Sequence, residues 1–261
     1  MTGLIILGLF LGLILLAYLG YCFSLYLKQT ELLYSPVKET LHDNHSQMFS
    51  HLPHQGWLIQ SAQPSSHALL YFGGKGEAIE HRARELARWF PKHHIYLIPY
   101  RGYGPNRTMI PQEKDLKSDA LSFFDAISQE HSHIDVIGRS MGTTIALFLA
   151  KYRPVRRLSL ITPYYSISQL AQHRYPWVPV RWLLKDKFDA WKYAHALQTP
   201  LLAVISITDR IIPMEQWERL KKLMTQPIEE FFIEDDHDLL LESEELWSKL
   251  ANFFEFDTIS T

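Results

Sequence analysis

Ile134-Asp-Val-Ile-Gly-Arg-Ser-Met-Gly142 is a short apolar run closing in the pattern G-x-S-x-G, and helix-prone residues Thr143 to Lys151 follow at once. A strand that turns sharply into a helix at a serine is a nucleophile elbow. Glycines at 138 and 142 let the chain turn and neighbours pack closely, which leaves the Ser140 side chain above the sheet edge. A plainer alternative is an ordinary β–α turn in which Ser140 caps the helix. The strand–turn–helix context favours the elbow.

A serine hydroxyl is a poor nucleophile near neutral pH and needs an adjacent base, itself oriented by an acid. Behind an elbow of this type the acid follows in the chain, and then the histidine. Only His173, His195 and His237 lie beyond Ser140. His237 follows an apolar run, Glu230 to Ile233, and precedes a helical pattern, which is where the base is expected. Asp209 stands just past the run Leu201 to Ile207 and is the expected acid. Asp186 and Asp189 look like solvated helix charges. The oxyanion of an acyl-transfer intermediate needs two backbone N–H groups. Met141 supplies one, and Lys75, in the Gly73-Gly-Lys-Gly76 loop after the run His67 to Phe72, is expected to supply the other. That loop lacks the spacing of a phosphate-binding loop. No metal site is expected, because His42/His45, His51/His54 and His131/His133 lack converging carboxylates.

Outward from the elbow, strand-like and helix-like patterns alternate. Gly56–Gln60, His67–Phe72, Ile95–Pro99, Ile134–Ile137, Leu158–Ile161, Leu201–Ile205 and Glu230–Ile233 read as strands. Helical faces recur at Glu77–Phe90, Leu116–Ile127, Thr143–Lys151, Met214–Met224 and Leu239–Phe254. Such alternation argues for a parallel sheet covered by helices on both faces. Pro163 to His195 breaks the rhythm with three tryptophans and no convincing strand, and it fits a small helical insertion at the rim where open α/β sheets bind ligands.

Residues 3–27, GLIILGLFLGLILLAYLGYCFSLYL, carry no charged residue. The run exceeds the ~20 residues needed to cross a ~30 Å hydrocarbon core, and Tyr18, Tyr21 and Tyr26 gather where an aromatic belt belongs. No positive segment precedes it and Gly20-Tyr21-Cys22 is a poor cleavage motif, so a single-pass anchor is favoured over a signal peptide. The sequence divides into an anchor at 1–28, a polar connector at 29–54 with breakers Pro36 and Pro53, and a catalytic domain at 55–261 holding the insertion at 163–195. On this division the anchor contributes nothing to the active site. The charges near its end leave its orientation open. With 26 basic against 28 acidic residues there is no case for nucleic-acid binding, and one cysteine excludes an intrachain disulfide.

These segments together resemble the α/β-hydrolase superfamily. The closer likeness is to the membrane-anchored serine hydrolases of its serine-aminopeptidase-like branch, which includes depalmitoylases and lysophospholipases. The likeness runs from about Glu31 to Phe254: Leu32-Leu-Tyr-Ser-Pro36, Phe72-Gly-Gly74 with Glu77, Pro99-Tyr-Arg-Gly-Tyr-Gly104, the elbow, Tyr175-Pro-Trp-Val-Pro-Val180, Lys185-Asp-Lys-Phe-Asp189, and Asp209 with Ile212-Pro213. It implies an α/β-hydrolase fold, a mostly parallel central sheet flanked by helices with a short helical cap, behind one transmembrane helix. It departs from the branch where Gly73-Gly74 replaces a usual His-Gly, where Ser206-Ile-Thr208 precedes the acid, and where Glu234, Asp235, Asp236 and Asp238 crowd His237. The expected activity is cofactor-free hydrolysis of esters or thioesters of acyl-lipids or acyl-proteins at a membrane. Two alternatives are a peptidase on the same triad and a catalytically silent membrane module. Oligomeric state is left open.

Overall fold

The computed structural model describes residues 1–37, 46–51, 54–195 and 197–255. Pro53 and the pair His42/His45 lie outside the described residues. The chain opens with one 33-residue helix, α1 (Thr2–Tyr34), about 50 Å long at 1.5 Å per residue. Beyond it come β1 (Gln47–His51), β2 (His54–Ile59), β3 (His67–Phe72), α2 (Ala83–Trp89), β4 (His94–Leu97), α3 (Glu113–Ile127), β5 (His133–Arg139), α4 (Met141–Tyr152) and β6 (Leu158–Ile161). The insertion supplies α5 (Ile167–Arg174), α6 (Val180–Leu183) and α7 (Trp191–Ala194). Then β7 (Leu201–Ser206), α8 (Met214–Lys221), β8 (Ile228–Ile233) and α9 (Glu244–Phe254) complete the chain.

The eight strands form one sheet in the order β1-β2-β4-β3-β5-β6-β7-β8. β1 and β2 pair antiparallel, β2 joins β4 antiparallel, and every pairing from β4 to β8 is parallel. The parallel strands are buried on both faces, which is why they read as continuous apolar runs. One core lies under α3, α4 and α8, through Phe123, Ile145 and Trp217. The other lies under α2 and α9, through Leu86, Trp247 and Phe254. From β3 the chain moves to β4 on one side, and from β5 to β6 on the other. The crevice between the ends of β3 and β5 is therefore the switch point where such sheets bind ligands.

Three sequence expectations are corrected. The helical pattern at Glu77–Phe90 is a short 3-10 turn, Ile79–Arg82, leading into α2. The polar connector contains β1, an edge strand whose mixed side chains hide its period. The first helix does not stop at Lys28 but runs on to Tyr34, whose side chain is fully buried in the core under α3. Over most of its length α1 stands clear of the body, with only Cys22 and Tyr34 buried.

Candidate active site

β5 delivers Gly138 opposite Phe72 of β3, so the loop after β3 and the turn after β5 are neighbours at the switch point. Ser140 has φ 48°, ψ −117°, a left-handed-side conformation that a non-glycine residue holds only when its surroundings enforce it. The flanking glycines make that turn possible. A Cβ on Gly142 would lie 2.1 Å from the Phe72 carbonyl oxygen, and one on Gly138 would lie 2.6 Å from the Ala146 Cβ.

The three expected residues come together in hydrogen-bonding order. His237 Nε2 is 3.1 Å from Ser140 Oγ, and His237 Nδ1 is 2.6 Å from Asp209 Oδ2. Asp209 follows β7, and its second oxygen accepts from the amides of Ile211 and Ile212 at 2.7 and 2.8 Å. Burial disfavours its ionised form, but the His237 contact and the two amides outweigh burial and hold the carboxyl below the usual carboxylate range. His237 is buried and follows β8, so hydroxyl, carboxylate and imidazole come from the loops after β5, β7 and β8, all at one end of the parallel sheet, with β6 lying between the first two.

Met141 opens α4, and its amide therefore has no partner within the helix. In the Gly73–Gly76 loop, Gly73 carbonyl accepts from Tyr100 Oη at 2.9 Å, and the Gly74 amide donates to Glu77 Oε2 at 2.6 Å. The Gly76 amide donates to the Tyr34 carbonyl at 3.1 Å. The loop is thus pinned on both sides of Lys75, which shares a cavity with Ser140 and Met141.

Sequence reasoning missed the residue that joins these loops. Arg139, the variable position before the serine, is buried. Its Nη1 donates to Glu77 Oε2 at 3.0 Å, while Nη2 donates to the His237 carbonyl at 3.1 Å and to Asp238 Oδ1 at 2.6 Å. Burial works against the guanidinium charge, but Glu77 and its neighbours more than restore it, so Arg139 is held firmly cationic. A long cation inside an otherwise small, apolar elbow was the available signal. Two of the four acidic side chains around His237 are engaged: Asp238 binds Arg139, and Asp236 Oδ1 accepts the His237 amide at 2.6 Å. Asp186 and Asp189 are not solvated helix charges. Asp186 accepts from Tyr34 Oη at 2.9 Å, and buried Asp189 accepts from Ser166 Oγ at 2.7 Å. His173 and His195 are not in contact with the serine.

The cavity above Ser140 measures about 600 Å³ and is chiefly apolar. Its walls are the insertion, through Leu170, Val180 and Leu183, and α1 itself, through Leu25, Tyr26 and Leu33. The expectation that residues 1–28 supply no part of the site is overturned, because α1 runs unbroken to Tyr34 and places Leu25 and Tyr26 on the wall of the cavity that holds Ser140. A second convergence lies at the opposite end of the sheet, where His67, His93 and Asp135 place ligand atoms within 4.8 Å of one another. Arg156 already bonds both Asp135 oxygens, so a cation there would meet a guanidinium.

No family model matches the chain. An uncharacterized protein of Mycobacterium tuberculosis is 31% identical over 137 residues, 51% of this chain. The chain spans about half the length of that relative (48%). YfhR of Salmonella typhimurium is 24% identical over 205 residues, covering 70% of this chain and 69% of its own. Among solved structures, the Pyrococcus furiosus esterase Pf2001 superposes with a TM-score of 0.65 at 14% identity, covering 84% of this chain and 95% of its own. The type II thioesterase BorB gives 0.56 at 14% identity, covering 83% and 100%. A lipase-esterase related protein of Clostridium acetobutylicum gives 0.58 at 18%, covering 76% and 99%. The chain has the α/β-hydrolase fold.

Proposed function

We propose that the protein is a serine hydrolase of carboxylic esters or thioesters, held in a membrane by α1 and acting on acyl-lipids or acylated proteins. The observation that carries this reading is the hydrogen-bonded run Asp209–His237–Ser140 at a strained elbow beneath an apolar cavity. The esterase and thioesterase names of proteins sharing the fold support the bond type, and an N-terminal helix long and apolar enough to cross a membrane supports the location.

Ser140 Oγ attacks the acyl carbonyl while His237 Nε2 takes its proton. Asp209 keeps the Nδ1 proton in place and stabilises the imidazolium. The amides of Met141 and Lys75 receive the oxyanion. Collapse of the tetrahedral adduct passes the proton from His237 to the departing alcohol or thiol and leaves an acyl-serine. Water then attacks that ester with His237 again as base, releasing the acid and restoring Ser140. These steps use only the chain's own groups and water.

A fluorophosphonate probe tests the assignment. The parent is expected to be labelled and Ser140→Ala to be inert with an unchanged circular dichroism spectrum. Equal labelling of both removes Ser140 as nucleophile, and an unlabelled parent favours a silent module. A panel of acyl esters, thioesters and aminoacyl amides then separates esterase from peptidase.

A further inference from the structure

Resting on the reading of α1 as membrane-spanning and Ser140 as nucleophile, we infer that the cap sits in the bilayer interface through Trp177 and Trp182 and that the cavity takes a long acyl chain directly from the bilayer, with α1 as one wall.

The cap is fastened along the final four turns of α1. Tyr18 Oη donates to the Trp177 carbonyl at 2.8 Å. Cys22 packs with Val178 and Val180 in a small apolar cluster joined by Leu25. Gln29 Oε1 accepts the Lys185 amide at 2.8 Å, and Lys185 Nζ lies 4.7 Å from the centre of the Tyr26 ring. The cap is therefore at the depth where the uncharged part of α1 ends. Two of its three tryptophans do not pack on the body: Trp177 is 86% exposed and Trp182 90%. Indoles favour the headgroup level of a bilayer, and here they extend the belt of Tyr18, Tyr21 and Tyr26.

Charge points to the same occupant. Residues 174–187 carry Arg174, Arg181, Lys185 and Lys187 against Asp186 alone, which complements anionic headgroups. Behind this face, the cavity wall made by Leu25, Leu33, Val180 and Leu183 connects α1 and cap to Ser140. An acyl chain leaving the hydrocarbon beside α1 reaches the serine without crossing water, and hydration of its methylenes is never required.

The test uses the full chain in vesicles of phosphatidylcholine with ten per cent phosphatidylglycerol, prepared with or without brominated acyl chains. None of the seven tryptophans lies in α1, so bromine quenching reports the body alone. Brominated vesicles should quench part of the parent's fluorescence, and Trp177→Phe/Trp182→Phe should lose that quenched component. Equal quenching of parent and variant, or no quenching of either, overturns the membrane-seated cap and leaves the two indoles to a protein partner. Trp177→Ser/Trp182→Ser should slow bilayer labelling by a hexadecyl fluorophosphonate about tenfold while a short water-soluble fluorophosphonate changes less than twofold. Unchanged hexadecyl labelling overturns the lipid route. An unlabelled parent with both probes instead fails the hydrolase reading, and the quenching result stands apart from it.

Discussion

At the scale of single residues, Arg139 and Glu77 tie together the three loops that carry Ser140, His237 and Lys75. Misplacing a reacting group by about 1 Å costs on the order of 10²-fold in rate. Arg139→Gln is therefore expected to lower kcat roughly 10- to 100-fold with little change in KM. Arg139→Lys should not rescue it, since one ammonium cannot reach Glu77 and the His237 carbonyl together. Asp209→Asn should lower kcat by ~10⁴, as the wrong histidine tautomer does in serine proteases. Gly142→Ala forces a methyl to within 2.1 Å of the Phe72 oxygen, and a fall in the urea midpoint equivalent to about 2 kcal/mol or more is expected. The convergence of Ser140, Asp209 and His237 was legible because strand–turn signals fix their loops. The link that Arg139 makes between Glu77 and His237 was not, because it rests on contacts 62 and 98 residues away along the chain.

At the scale of elements, the parallel strands announced themselves as apolar runs, whereas β1 did not. Its Met48 and Phe49 are consecutive between polar Gln47 and Ser50, so no period of two shows, and an edge needs no continuous apolar face. The helical nature of α1 was plain from its composition, but its second use was hidden, since an all-apolar helix has no face that declares a partner. Leu25 and Leu33 stand about two turns apart on the cavity wall. Leu25→Trp should shorten the preferred acyl chain, seen as a falling ratio of long- to short-ester kcat/KM. A chain beginning at Glu31 keeps Tyr34 but loses Leu25, Tyr26 and the Gln29 tie to the cap, and it should lose the same preference while remaining folded by circular dichroism.

At the scale of the whole molecule, the two ends of the sheet carry different chemistry. The strand ends around Ser140 hold the candidate site, while the starts of β3, β4 and β5 gather histidines: the register sets His67 beside His133, and the His94 ring lies 4.8 Å from that of His131. His67 stacks on His133 at 4.5 Å. Burial, reinforced by Arg156, pushes the His67 imidazole down to about 4, and burial also lowers His94 and His131. Between pH ~6.5 and ~4 the unfolded chain takes up protons that the folded chain refuses, so folding stability falls as pH drops through that window. The melting temperature should decline accordingly, and His67→Gln should flatten the decline; a slope identical in the two proteins would show that His67 does not drive it. The clustering was not legible from sequence, where His131/His133 read as a short-spaced pair and His67 only as the first residue of a strand, because strand register brings them together.

The cavity wall that α1 shares with the cap has a kinetic consequence. On the proposed function, with that helix in a bilayer, enzyme and substrate meet by lateral diffusion in two dimensions, and turnover answers to the mole fraction of substrate in the surface. Adding inert lipid at constant bulk substrate then slows the reaction by dilution within the plane, while adding water does not.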